Sequence, residues 1–261
     1  MAPSLIGLDN RFDPEGEEPE DYDKPLEKTP KHSSFVQVGE FFHVSNAGNL
    51  YRLREFTFLG AEYPYYIFGD LLESCDPVYQ IKEFKRLRKA GEPPSSIAKE
   101  IEALKLHVGQ PEIPVFRAAY CDFGFVNKSG AHSVCKQIRG VYVHFDYQAE
   151  GLSRTVYDYL IDKYSYLACD YTQTILGATL WAISVRKIAL VEIYDTSANK
   201  FIEELGDNAV GVNGYVPWDI GRLPKYRVNE WFGAKFSDLN MTPGSCQHII
   251  NIASRPSPTV I

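Results

Sequence analysis

His144, Asp146, Gln148, Glu150 and Gly151 fall within eight residues of one another, where a strand-type run ending at Tyr147 meets a helix-type run from Leu152. A helix that starts in this way leaves its first backbone N–H groups unpaired and pointing outward. Its dipole favours an anion at that end, and Gly151 permits close approach to the backbone. Gln148–Ser153 therefore reads as a phosphate or pyrophosphate cradle, with an ordinary strand-to-helix turn as the plain alternative. Strand alternation puts His144 and Asp146 on one face, opposite Val143 and Phe145. That polar pair is either a base beside the cradle or a stretch of solvated surface.

Other residues offer chemistry with a structural alternative beside each. Asp170 lies at the end of a short strand, where ligand sites gather in open α/β sheets, yet Asp170 with Gln173 also spells a helix capping box. Tyr171 and Tyr194 are candidate acids among 17 tyrosines. Cys121, His132, Cys135 and His144 can be drawn as a zinc set, but they have no second close pair and read better as separate packing residues, so no metal is expected. Cys169 reads as a small buried thiol rather than a nucleophile. Lys82, Lys85, Arg86, Arg88 and Lys89 surround Ile81, Phe84 and Leu87 on one amphipathic helix. Its basic side is either solvated or a docking face for phosphates, for nucleic acid or for an acidic segment.

The block Val143-His-Phe-Asp-Tyr147, Gln148-Ala-Glu-Gly151-Leu-Ser153, Val156-Tyr157-Asp-Tyr-Leu160-Ile161 resembles the GNAT superfamily of acyl-CoA-dependent N-acyltransferases. Their pattern is a strand ending V-x-P-x-Y, then R/Q-x-x-G-x-G/A, then a helix of L-Y-x-x-L-I character. Tyr166-Leu-Ala-Cys-Asp170-Tyr-Thr-Gln173-Thr-Ile-Leu-Gly177-Ala-Thr-Leu-Trp181 is similar to a block of bacteriophage-encoded GNAT-like proteins, with Cys169 where those carry Ser. The resemblance covers roughly residues 115–195. It implies an α/β (α+β) fold with a mixed, mostly antiparallel central sheet flanked by helices. It also implies acetyl-CoA or another acyl-CoA as substrate, held by Val143, Phe145, Gln148, Ala149, Gly151, Leu152 and Ser153. An amine acceptor on a protein, small molecule or nucleic-acid base would then be served by His144, Asp146, Asp170 and Tyr171, since acyl transfer needs a base for the amine and an acid for the thiolate. A backbone N–H where the strand splays from its neighbour would polarise the thioester carbonyl. The chain departs from the pattern at Ser153, at Glu150 and in having no tyrosine between Gln173 and Lys187. These departures keep a second expectation open: a catalytically inactive phage protein of this fold that binds a host or virion component.

Several elements must position these residues. FVQVGEFFHV, NLYRLREFTFL and YPYYIFGD are strand-type runs, followed by a predicted helical pair over 78–89 and 95–106 with Ser95 and Ser96 as caps. PVFRAAYCDFGFV and KQIRGVYVHFDY form a predicted hairpin through Asn127–Gly130. Spacing of Leu152, Val156, Tyr159, Leu160 and Lys163 predicts a helix over 152–164. A short strand at 166–169, a helix over 173–187 and a buried-type strand at 188–194 complete the pattern. Residues 32–261 are expected to form one domain, with 78–106 as a helical insertion.

The chain has 261 residues and a net charge of −7 from 34 acidic and 27 basic side chains. Eight acids and one base between Asp9 and Asp23 account for all of that charge, which leaves 26 acids and 26 bases elsewhere. With five prolines, residues 1–31 read as a flexible acidic arm. The charge therefore excludes neither CoA nor nucleic acid as a ligand of the body. The longest apolar stretch, Ile175–Val185, is 11 residues, too short to span a bilayer. No secretory signal is visible, and five cysteines without a CxxC pair fit reduced thiols, so a cytoplasmic location is expected (host cytoplasm if phage-encoded).

Overall fold

A computed structural model describes residues 4–6, 34–61, 63–218 and 248–256. The acid run Asp9–Asp23 and residues 219–247 lie outside them. The described fold is mixed α+β. In chain order its strands are β1 (Ser4–Ile6), β2 (Phe35–Val44), β3 (Leu50–Phe58), β4 (Tyr65–Leu72), β5 (Glu112–Val126), β6 (His132–Val143), β7 (Tyr166–Ala168), β8 (Thr172–Thr174), β9 (Leu190–Asp195), β10 (Lys200–Glu204) and β11 (Ile249–Ser254). The helices are α1 (Pro77–Lys89), α2 (Pro94–Ala103), α3 (Leu152–Tyr164) and α4 (Ile175–Thr179). Nine strands form one mostly antiparallel sheet in the order β10-β9-β11-β7-β6-β5-β4-β3-β2, in which β6 and β7 are parallel. The chain divides into two compact units: Met1–Glu18, Asp122–Ile138 and Tyr157–Ile261 in one, Pro19–Cys121 and Arg139–Val156 in the other.

The unit that carries the Gln148–Ser153 loop is built on β2, β3 and β4. These strands hold the aromatic and β-branched residues that suit a pleated, half-buried surface. At Gly69, any Cβ would lie 2.8 Å from Leu53 and from Phe116, so this central position admits only glycine. Val44, Leu50 and Leu72 at one end of these strands pack with Phe84 and Leu87 of α1 and with Ile97 and Ile101 of α2. The start of α1 is set by Asp76, whose side chain accepts the Tyr79 N–H at 3.0 Å, with Pro77 following. Arg86, Arg88 and Lys89 suit its C-terminal dipole. Gln80 donates to the Gly48 carbonyl at 2.9 Å, tying α1 to the β2–β3 turn. α2 begins at Pro94 with the extended Pro93 before it and has no side-chain cap. The expected caps Ser95 and Ser96 instead lie inside the helix, because proline already supplies the fixed φ and missing donor that the first turn tolerates.

In the other unit, the Asn127 side chain accepts N–H groups of Ser129 and Ala131, closing the turn between β5 and β6. The expected helix over 173–187 is broken up. Thr172–Thr174 is a strand paired in parallel with Ser4–Ile6, and only then does α4 begin, followed by a wider π turn at Leu180–Ser184 and a 3-10 turn at Val185–Lys187. Ser4–Ile6 belongs to the segment read as an arm, and it is a strand. Among the described residues, no helix is long and apolar enough to cross a membrane.

Candidate functional site

The strand leading to the loop ends sooner than alternation suggests. β6 stops at Val143, the His144 N–H bonds to the Val115 carbonyl at 2.9 Å, and Phe145–Tyr147 is a single 3-10 turn. His144 and Asp146 therefore do not share a strand face, which corrects the expectation from spacing. His144 instead caps the turn, its Nδ1 accepting from the Asp146 N–H at 3.4 Å, with an Asp146 carboxylate oxygen 3.7 Å away. Phe145, 72% exposed, stacks on the His144 ring with centroids 4.5 Å apart. Earlier in β6, Lys136 and Gln137 pair in parallel with Leu167 and Ala168 of β7.

Gln148, Ala149 and Gly151 are exposed, Val143 and Ser153 half-buried, and Leu152 buried. The first intrahelical bond of α3 runs from the Thr155 N–H to the Gly151 carbonyl at 3.1 Å, so the N–H groups of Leu152, Ser153 and Arg154 precede the ladder. Gly151 has φ +82°, and a Cβ there would meet only the His43 ring, at an ordinary 3.7 Å. Its glycine is required by the backbone angle rather than by crowding.

Spacing gave no sign of the residue beneath this loop. His43, on β2, sits with Nε2 2.7 Å from the Glu150 carbonyl and Nδ1 3.0 Å from the Thr155 hydroxyl. A carbonyl only accepts, so Nε2 carries the proton and Nδ1 accepts from Thr155. Burial lowers the His43 pKa below the usual imidazole value, partly opposed by the Glu150 carbonyl and carboxylate. Tyr51 lies beside it, with ring centroids 5.9 Å from His43 and 6.4 Å from Tyr147. Its hydroxyl is enclosed near Asn49 and Glu150, and burial next to the Glu150 carboxylate pushes its pKa up. The Glu150 carboxylate is approached by the Asn49 amide at 3.5 Å, so it does not simply turn out to solvent.

Asp170 and Tyr171 belong to the other unit. Asp170 is buried and accepts the Tyr171 N–H at 2.7 Å, and the Tyr171 ring meets Phe123 edge-on at 6.4 Å. Helix α4 starts at Ile175, so Asp170 and Gln173 do not form the anticipated capping box. The Gln173 amide reaches the Asp170 carbonyl at 3.4 Å and accepts the buried Trp218 indole N–H at 3.1 Å, clamping the loop between β7 and α4. Cys169 accepts the Asn251 N–H at 3.1 Å, and burial pushes its thiol up to about 12, which suits packing and not nucleophilic attack. Among the described residues, no three His, Cys, Asp or Glu side chains come together as a metal set. On α1, Lys82, Lys85, Arg88 and Lys89 are exposed, while Arg86 pairs with Glu83 at 2.7 Å.

No protein-family model, curated protein or solved structure matches this chain.

Proposed function

We propose that the chain is a GNAT-like protein that binds acyl-CoA at Gln148–Ser153 and transfers the acyl group to an amine. The single observation that carries this reading is the junction itself. A strand that ends at Val143 passes through the Phe145–Tyr147 turn and delivers an exposed loop, with Gly151 at φ +82°, to the N-terminus of a 13-residue helix. The N–H groups of Leu152, Ser153 and Arg154, which precede the helical ladder, suit a pyrophosphate. Val143, Phe145, Gln148, Ala149, Gly151, Leu152 and Ser153 would hold the ligand. The half-buried imidazole of His144 would take the amine proton, and the Asp146 carboxylate at 3.7 Å would stabilise the resulting cation.

Calorimetry with acetyl-CoA on the full chain tests this. Binding is expected, and Gly151→Glu, which adds a carboxylate and a side chain at positive φ, should abolish it. No heat at millimolar ligand would sink the reading. The alternative, a catalytically inactive binding protein on the same fold, is favoured by the Glu150 carboxylate, which lies by Asn49 and Tyr51 and repels a pyrophosphate. Acetyl-CoA binding without release of free CoA across a panel of primary amines would select it.

A further inference from the structure

The proposed CoA site needs donors that face the ligand, and His43 bears on which way one of them points. In a trans peptide the carbonyl oxygen and the following N–H project in opposite directions, and no peptide bond here is cis. The Glu150 carbonyl is drawn to His43 Nε2 at 2.7 Å, on the side of Tyr51 and Thr155. The Gly151 N–H of the same peptide unit must then point the other way, with the open N–H groups of Leu152 and Ser153 next in the chain. We infer that His43 is a positioning residue for the acyl-CoA site: it holds the Glu150–Gly151 peptide so that the Gly151 N–H becomes a donor to the ligand's phosphate oxygens. The inference rests on the acyl-CoA reading for its ligand and on the peptide geometry for its mechanism.

Two features of the site bear this out. Gly151 is exposed and its φ of +82° is one that no other residue adopts without strain, so the orientation of this peptide is specified rather than incidental. His43 is locked from both sides, since the Thr155 hydroxyl occupies Nδ1 from inside the first turn of α3. One ring therefore couples the loop carbonyl to the helix that follows. A ring in the opposite tautomer would set a lone pair against the Glu150 carbonyl oxygen and release the peptide.

The test compares full-length wild type, His43→Gln and His43→Leu by acetyl-CoA calorimetry and by 15N NMR. Glutamine keeps an N–H donor for the Glu150 carbonyl, whereas leucine keeps bulk alone. His43→Leu should weaken binding about tenfold, the usual scale for one donor to a charged group, and His43→Gln should restore most of it. Equal affinity in all three proteins, or equal loss in both variants, overturns the inference. If wild type binds no acetyl-CoA, the acyl-CoA reading fails, and the peptide geometry is decided without ligand. The Gly151 amide resonance should then shift or broaden in His43→Leu and stay near its wild-type position in His43→Gln. An unmoved Gly151 resonance in His43→Leu overturns the positioning role. In wild type alone, ring 15N shifts should report the Nε2–H tautomer at neutral pH, and the Nδ1–H tautomer would overturn it even if a variant failed to fold.

Discussion

A carboxylate removed from water costs several kcal/mol unless donors meet it, and Glu55 on β3 is fully buried. The Tyr120 hydroxyl donates to its Oε1 at 2.6 Å. Tyr120→Phe deletes that donor while keeping the ring and its stacking on Tyr65, so it isolates the hydrogen bond. The expected cost is about 1.5–3 kcal/mol, the usual worth of a bond to a charged group, read as a lower urea midpoint with unchanged slope. A loss below about 0.5 kcal/mol would mean that other groups satisfy Glu55. His43 makes a second prediction at this scale. The groups that face it are the Glu150 carbonyl and carboxylate, the Thr155 hydroxyl and the Tyr51 ring. Its folded pKa lies below the ordinary value, so below about pH 6.5 the unfolded chain binds the proton more readily. The stability that His43 contributes is thus complete above the unfolded pKa and is lost as pH falls from there toward the lowered folded value. Between pH 7 and 5, wild type should lose more stability than His43→Gln, measured by urea unfolding at each pH, and parallel losses would contradict the burial argument.

At the scale of elements, capping chemistry that is local can be checked locally. Asp76 both starts α1 and satisfies the Tyr79 N–H, so Asp76→Ala should cost about 1 kcal/mol and lower the melting temperature without altering the core beneath Phe84 and Leu87. An unchanged melting temperature would show that Pro77 alone sets the helix start. Such local features are also what the sequence made legible. Periodicity placed α3 at residues 152–164, and turn chemistry at Asn127–Gly130 marked the β5–β6 connection. The misreadings arise from a local cap and from partners distant along the chain. Alternation through Tyr147 reads as strand, but β6 ends at Val143 and Phe145–Tyr147 closes into a 3-10 turn capped by the neighbouring His144. Gln173 reads as helix, but Thr172–Thr174 finds a strand partner in Ser4–Ile6, about 170 residues earlier in the chain. Glu150 and Gly151 were visible as candidates, yet the residue that holds them, His43, lies 107 positions before Glu150, and nothing in FFHV announces that contact.

At the scale of the whole molecule, charge is the property that no single element carries. The formal net charge is −7, and residues 9–23 supply all of it. An anionic ligand approaching the chain meets that repulsion over a distance set by salt, about 30 Å at 0.01 M and 3 Å at 1 M. Deleting residues 9–23 leaves 26 acids and 26 bases, so long-range repulsion of acyl-CoA should vanish while the local donors of the loop stay as they are. On the proposed acyl-CoA reading, the deleted form should bind acetyl-CoA a few-fold more tightly than the full chain at about 0.01 M salt and equally at about 0.5 M. The same deletion should raise the isoelectric point from about 5.4 towards neutrality and reduce solubility near pH 7, where a protein without net charge associates more readily. Calorimetry at the two salt concentrations separates the possible roles of the segment. A difference that persists at high salt would mean that residues 9–23 act through short-range contact and not through net charge. No difference at low salt would mean that their field does not reach the loop at all.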